Sequence, residues 1–231
     1  MTRRLLRSSL LALALLAGHA AAQDSTHPAV PQQVSNSAWE ADIAHFQAED
    51  AANPPPHNGV LFIGSSSIRF WQSLATDFPG QPVINRGFGG SEVRDSTWYA
   101  DRIVVPYAPR LIVFYAGDND LAAGRSPEQV RDDVVSFVQR VRRDLPETRF
   151  AFISIKPSPS RAQLIPGILK SNQLVKQALA EIGNTDYIDI YSKMLDANGQ
   201  PRRELFREDM LHMKPAGYAI WRDAVAPELS K

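Results

Sequence analysis

The chain has 231 residues, 25 basic and 25 acidic, and no Cys. The missing Cys excludes a disulfide-built scaffold, and the even charge excludes the basic stripe that a nucleic-acid partner calls for. A chain of this length can bury one core as one domain.

At the start, Arg3, Arg4 and Arg7 precede an apolar stretch from Leu10 to Ala17, followed by Gly18-His19-Ala20-Ala21-Ala22-Gln23. This order reads as a secretory signal peptide, residues 1–22, cut after Ala22. The stretch is too short to span a bilayer comfortably, so no stable membrane insertion is expected. Cleavage would remove three Arg and no acid, leaving 22 basic against 25 acidic residues, a balance of −3. The expected location is the periplasm or the medium. Residues 23–36, polar and carrying Pro28 and Pro31, read as a disordered lead-in to a domain over 37–231.

Trp39, Ile43 and Phe46 recur at helical spacing, with Ser37 as a cap. A regular alternation follows. Val60–Ile63 is the first strand, ending at Gly64-Ser65-Ser66-Ser67, with a helix to about Thr76. Val83-Ile84 leads the second strand into Asn85-Arg86-Gly87-Phe88-Gly89-Gly90, then a helical stretch from Ser91 to Tyr99. Leu111–Tyr115 is an unbroken apolar strand suited to a sheet covered on both faces, and it ends at Ala116-Gly117-Asp118-Asn119-Asp120. Ser126 caps a helix with Pro127 at its first position and a stripe of Val130, Val134, Phe137, Val138 and Val141. Phe150–Ile155 is the fourth strand, a helix covers Ile168 to Ile182, Tyr187–Ile190 is the fifth strand, and a last helix runs from Pro215 to Ala226. Strands alternating with helices predict an α/β fold with a parallel sheet and right-handed crossovers.

A strand that stops at Gly and hands a hydroxyl to a helix start can present a nucleophile, although a Ser there is more commonly only a cap. A base is needed. After cleavage the histidines are His27, His45, His57 and His212, and His212 alone lies between the fifth strand and the last helix. Asp209, three residues earlier, can reach its imidazole through one turn. The backbone N–H groups of Ser66 and Gly90 and the Asn119 amide are candidate donors to an oxyanion. Lys156-Pro157-Ser158-Pro159-Ser160-Arg161 reads first as a stiff solvated loop, and secondarily as a cationic site mouth. Trp71 reads as core rather than as a sugar platform. No local cluster has metal-ligand spacing, and Gly87–Gly90 lacks the full dinucleotide fingerprint, so no metal or cofactor is expected.

Four blocks in order, Gly64–Ser67, Asn85–Gly90, Gly117–Asp120 and Asp209–His212, resemble the SGNH (GDSL-type) hydrolase superfamily, over roughly Asn36 to the C-terminus. The resemblance implies a flavodoxin-like three-layer α/β/α sandwich with a five-stranded parallel sheet. It implies Ser66 as nucleophile, His212 and Asp209 as catalytic partners, and Ser66, Gly90 and Asn119 as the oxyanion hole. The chain departs from the family at Ser65, where the usual block carries the Asp that helps brace the loop. The implied function is an exported serine ester hydrolase that removes small acyl, chiefly acetyl, groups through an acyl-enzyme. Its partner would be a small ester, plausibly an acylated carbohydrate. The competing readings are a non-catalytic carbohydrate-binding protein on the same fold and a coloured flavodoxin-like cofactor carrier. The oligomeric state is left open.

Overall fold

The computed structural model describes residues 38–231. The signal-peptide and lead-in readings and the Ser37 cap fall outside that range. Helix α1 (Glu40–Ala52) has Trp39 in its N-cap place. After β1 (Val60–Gly64) come α2 (Ser66–Arg69) and α3 (Leu74–Asp77), then β2 (Val83–Gly87) with α4 (Val93–Trp98) and α5 (Ala100–Ile103). Next are β3 (Leu111–Tyr115) with α6 (Asp118–Ala122) and α7 (Pro127–Asp144), and β4 (Arg149–Ile153) with α8 (Ile165–Ile182). Strand β5 (Thr185–Ile188) and α9 (Pro215–Leu229) close the chain.

The strands form one parallel sheet in the order β2-β1-β3-β4-β5. Every residue of β1 and β3 is buried, because alternate side chains feed two cores. Leu61, Ile63, Ile112 and Phe114 meet Val130, Val134 and Phe137 of α7 and Ile168 and Val175 of α8. Val60, Phe62, Val113 and Tyr115 meet Trp71 and, from α9, Tyr218 and Trp221. This is the expected three-layer α/β/α sandwich with a five-stranded parallel sheet. The chain leaves β1 toward one edge and returns to β3 on the other side, so a topological switch point lies beyond Gly64. Among the described residues no helix is long and apolar enough to cross a membrane.

Several element bounds differ from the sequence expectation for local reasons. The helix expected to reach Thr76 breaks after Arg69. The break lets Trp71, only 1% exposed, enter the core against Phe62, Tyr218 and Trp221, while its indole N–H donates to Asp77 Oδ2 at 2.6 Å. Burying such a side chain stabilises by roughly 1.5–3 kcal/mol, more than one short helical turn in water. Strand β4 ends at Ile153 because the Ile155 N–H and C=O are taken by the Asn172 side-chain amide, at 2.8 and 3.0 Å. Strand β5 ends at Ile188 because the N–H groups of Ile190 and Tyr191 both donate to Ser154 Oγ. Helix α9 runs past Ala226 with Pro227 inside its last turn, which lets Leu229 pack into the core. The α7 cap forms as read: Gln129 N–H donates to Ser126 Oγ, and Ser126 N–H donates to Gln129 Oε1.

Candidate active site

Gly64 takes φ +136°, and a Cβ there would stand 1.8 Å from the Tyr115 carbonyl oxygen. Only Gly fits, and the backbone turns sharply out of the sheet. Ser65 occupies the N-cap of α2 in an extended conformation, but its side chain makes no capping bond. It is 1% exposed and its Oγ has no partner. The loop is held by other groups. Ser65 N–H donates to the Tyr115 carbonyl at 3.0 Å, Tyr218 O–H donates to the Ser67 carbonyl at 2.9 Å, and Asn85 Nδ2 donates to the Ile68 carbonyl at 2.8 Å. The loop that carries Ser65 is thus held by the main chain and by two side chains from neighbouring elements.

Ser65 and Ser67 are buried, and Ser66 is half-buried. Ser66 Oγ lies 3.1 Å from His212 Nε2, 146 residues away in sequence. His212 Nδ1 lies 2.7 Å from Asp209 Oδ2. Asp209 Oδ1 accepts the N–H groups of Leu211 and His212, both at 2.9 Å. Burial alone would raise the Asp209 carboxyl, but these hydrogen bonds from His212 and Leu211 outweigh it and hold the group at about 2. An ionised carboxylate only accepts, so Nδ1 carries the proton and the Nε2 lone pair faces Ser66. Phe70 packs edge-on to the imidazole at 4.9 Å, which fixes the ring's tilt. The other described histidines stand elsewhere: His45 pairs with Glu49 on α1, and His57 is exposed ahead of β1.

The sheet brings the second and third blocks to the same edge. Gly90 has φ +79° and a Cβ there would meet nothing within 4 Å, so its backbone is open to an approaching group. Among the described residues the N–H groups of Ser66 and Gly90 donate to no protein acceptor. Asn119 Nδ2 donates to the Ser91 carbonyl at 3.0 Å, which ties α6 to the Gly89–Ser91 loop. Trp39 closes the loop from the other side, its indole N–H donating to the Gly89 carbonyl at 2.7 Å.

The segment after β4 corrects the sequence expectation of a solvated loop. Lys156 is 1% exposed, with Nζ 2.8 Å from Asp118 Oδ2 and 3.1 Å from the Tyr115 hydroxyl. Arg161 Nη1 stands 3.0 Å from the same Asp118 oxygen. Burial alone would raise Asp118, but the Lys156 and Arg161 cations more than reverse this and hold it below the ordinary carboxylate value. The cations are spent on an internal carboxylate and do not form a solvent-facing mouth.

Asp120 behaves oppositely. Burial pushes its carboxyl up to about 8, against the Val93 N–H that donates to Oδ1 at 3.0 Å. Asp120 is therefore protonated at neutral pH in the folded chain, whereas an unfolded Asp ionises near ~4. The native state holds the extra proton across that window, so stability falls as pH rises from about 4 to about 8. Asp120→Asn keeps the acceptor and should flatten this slope by up to about 1.4 kcal/mol per pH unit in urea unfolding.

A family model for the GDSL-like lipase/acylhydrolase family matches residues 62–220, which spans all four blocks. The chain belongs to the GDSL-like lipase/acylhydrolase family. This GDSL-type protein is accordingly a serine ester hydrolase. No curated protein matches it. Among solved structures it is similar to a protein assigned as a platelet activating factor from Streptococcus pneumonia, with 21% identity over 82% of this chain and 92% of that one, TM-score 0.73. A GDSL-like lipase from Bacteroides thetaiotaomicron is 19% identical over 82% and 98%, TM-score 0.69. A variant of the acetyl-xylooligosaccharide esterase from Geobacillus Stearmophilus is 15% identical over 77% and 96%, TM-score 0.60. At these identities the likeness is one of fold.

Of the residues that the sequence singles out, the structure brings Ser66, His212 and Asp209 into hydrogen-bond contact and ties Asn119 to Ser91, next to Gly90. Sequence reasoning missed Phe70 against the imidazole, Trp39 on the Gly89 carbonyl, and the Lys156–Asp118–Arg161 cluster. Their only sequence signal is residue type, because each partner lies far along the chain.

Proposed function

We propose that this GDSL-type hydrolase is an exported esterase that removes small acyl groups, with acetyl as the preferred group. In this reading Ser66 is the nucleophile, His212 the base, and Asp209 the group that fixes the imidazole tautomer. The observation that carries it is the unbroken line of hydrogen bonds from Ser66 Oγ to His212 at 3.1 Å and on to Asp209 at 2.7 Å. The basic, apolar and small-residue order of residues 1–22 supports export.

Ser66 Oγ attacks the ester carbonyl carbon as His212 Nε2 takes its proton. The charge on the carbonyl oxygen is met by the N–H groups of Ser66 and Gly90 and by the Asn119 amide. His212 then returns the proton to the leaving alcohol oxygen as the C–O bond breaks. Water, deprotonated by the same Nε2, attacks the acyl-enzyme, and the proton passes back to Ser66 Oγ as the acid leaves.

The preference for small acyl groups rests on the polarity around Ser66. The contacts around the candidate donors and the base are polar, Arg161 and Ser91 on Asn119 and Ser160 on the Met210 carbonyl, and Phe70 is already packed on the imidazole. Each methylene of a longer acyl chain would gain about 0.8 kcal/mol only if it met an apolar wall. The similar fold of an acetyl-xylooligosaccharide esterase supports an acetylated carbohydrate as substrate. Aryl acetate, butyrate and octanoate esters test the preference. The expected kcat/KM falls about tenfold or more from acetate to octanoate, and a rise along the series would contradict it.

A further inference from the structure

We propose that Arg161 is a positioning residue that sets the orientation and donor strength of the Asn119 amide. This rests on the reading of Asn119 as an oxyanion donor. Arg161 Nη2 donates to Asn119 Oδ1 at 2.8 Å, while Asn119 Nδ2 donates to the Ser91 carbonyl at 3.0 Å. A guanidinium can only donate and a carbonyl can only accept, so the two neighbours impose the same orientation on the amide. A flipped amide would oppose donor to donor and acceptor to acceptor. One Nδ2 hydrogen is used by Ser91, and the other is left for the site. A cation on the amide oxygen also polarises the group, which makes the remaining N–H a stronger donor.

The guanidinium is itself held in place. Its Nη1 pairs with Asp118 Oδ2 at 3.0 Å, and Lys156 meets the same oxygen at 2.8 Å. The Arg161 side chain is 16% exposed, so it is not a freely swinging surface cation. Ser160 anchors the segment, its N–H and its hydroxyl both donating to the Met210 carbonyl, at 3.1 and 2.9 Å. Met210 lies in the turn between Asp209 and His212 and takes φ +53°. Ser160 and Arg161 thus connect one short segment both to the turn that carries His212 and to the Asn119 amide.

Arg161→Lys keeps a cation for Asp118 but cannot fork to Asn119 as well, and Arg161→Met removes the charge. Both variants, with Asn119→Ala and the double variant Asn119→Ala/Arg161→Lys, are assayed on an aryl acetate alongside their melting temperatures. Asn119→Ala is expected to lower kcat by ~10²–10³-fold. Arg161→Lys and Arg161→Met should each lower kcat by about tenfold or more at little-changed KM. The double variant should match Asn119→Ala alone within about twofold. Effects that multiply in the double variant, or a folded Arg161→Lys enzyme with undiminished kcat, overturn the positioning role and leave the oxyanion reading intact. An Asn119→Ala enzyme at full rate overturns the oxyanion reading of Asn119, and the role of Arg161 with it.

Discussion

Ser66→Ala is expected to lower hydrolysis of an activated acetyl ester by ~10⁴-fold or more while the melting temperature stays within a few degrees. The hydroxyl has one structural partner, His212 Nε2, and Ser66 is half-buried at a helix start whose backbone bonds, such as Phe70 N–H to the Ser66 carbonyl, do not involve that hydroxyl. Its loss therefore leaves the fold in place and, in the proposed mechanism, removes the attacking atom. The neighbouring hydroxyls make this a test of register as well as of activity. Ser65 Oγ is buried without a partner, so Ser65→Ala discards an unsatisfied polar atom and should be neutral or slightly stabilising with activity within a fewfold of the parent. Assays of the Ser65, Ser66 and Ser67 variants side by side check this directly.

Asp209→Asn is expected to cost ~10³–10⁴-fold in kcat with the turn intact. The carboxylate performs two tasks. Oδ1 accepts the Leu211 and His212 N–H groups, which shapes the turn, and Oδ2 accepts from His212 Nδ1. An Asn can keep its Oδ1 on the two backbone donors, but it then presents an NH₂ to Nδ1. That inverts the imidazole tautomer and points an N–H at Ser66 Oγ, where a lone pair is needed. The hydrogen bonds that hold Asp209 at about 2 also set the sign of its pH dependence. Its stabilising contribution is complete above the unfolded value near ~4 and is lost as pH falls through the folded value. The Asp209–His212 contact should thus survive acid that protonates ordinary carboxylates. Steady-state kinetics and near-UV circular dichroism of the Asn variant separate a lost tautomer from a lost turn.

The sheet was legible because its strands are continuous apolar runs between turn residues, as in Leu111–Tyr115. The positions of Ser66, Gly90 and Asn119 were legible for a related reason: each follows its own strand, and parallel strands end at one edge. Bounds such as Ile153 and Ile188 were not legible, since they depend on Asn172 and Ser154, whose side chains compete with the sheet for backbone groups. The segment from Lys156 to Arg161 was misread because its composition, rich in Pro, Ser and cations, is that of a solvated loop. Its burial comes from Asp118, 38 residues before Lys156, and from Asn119, 42 residues before Arg161. Local composition carries no trace of such pairings. The bracing of the loop around Ser66 was not legible either, since it comes from Tyr218 on α9 and Asn85 on β2.

The claim that Ser66 is activated by His212 is tested most directly by reaction with a serine-directed phosphonate ester followed by peptide mass mapping. One phosphonyl group should be found on Ser66, with labelling lost in His212→Ala and retained in Ser65→Ala. A label on Ser65 or Ser67, or full ester turnover by an enzyme lacking the Ser66 hydroxyl, would contradict the account.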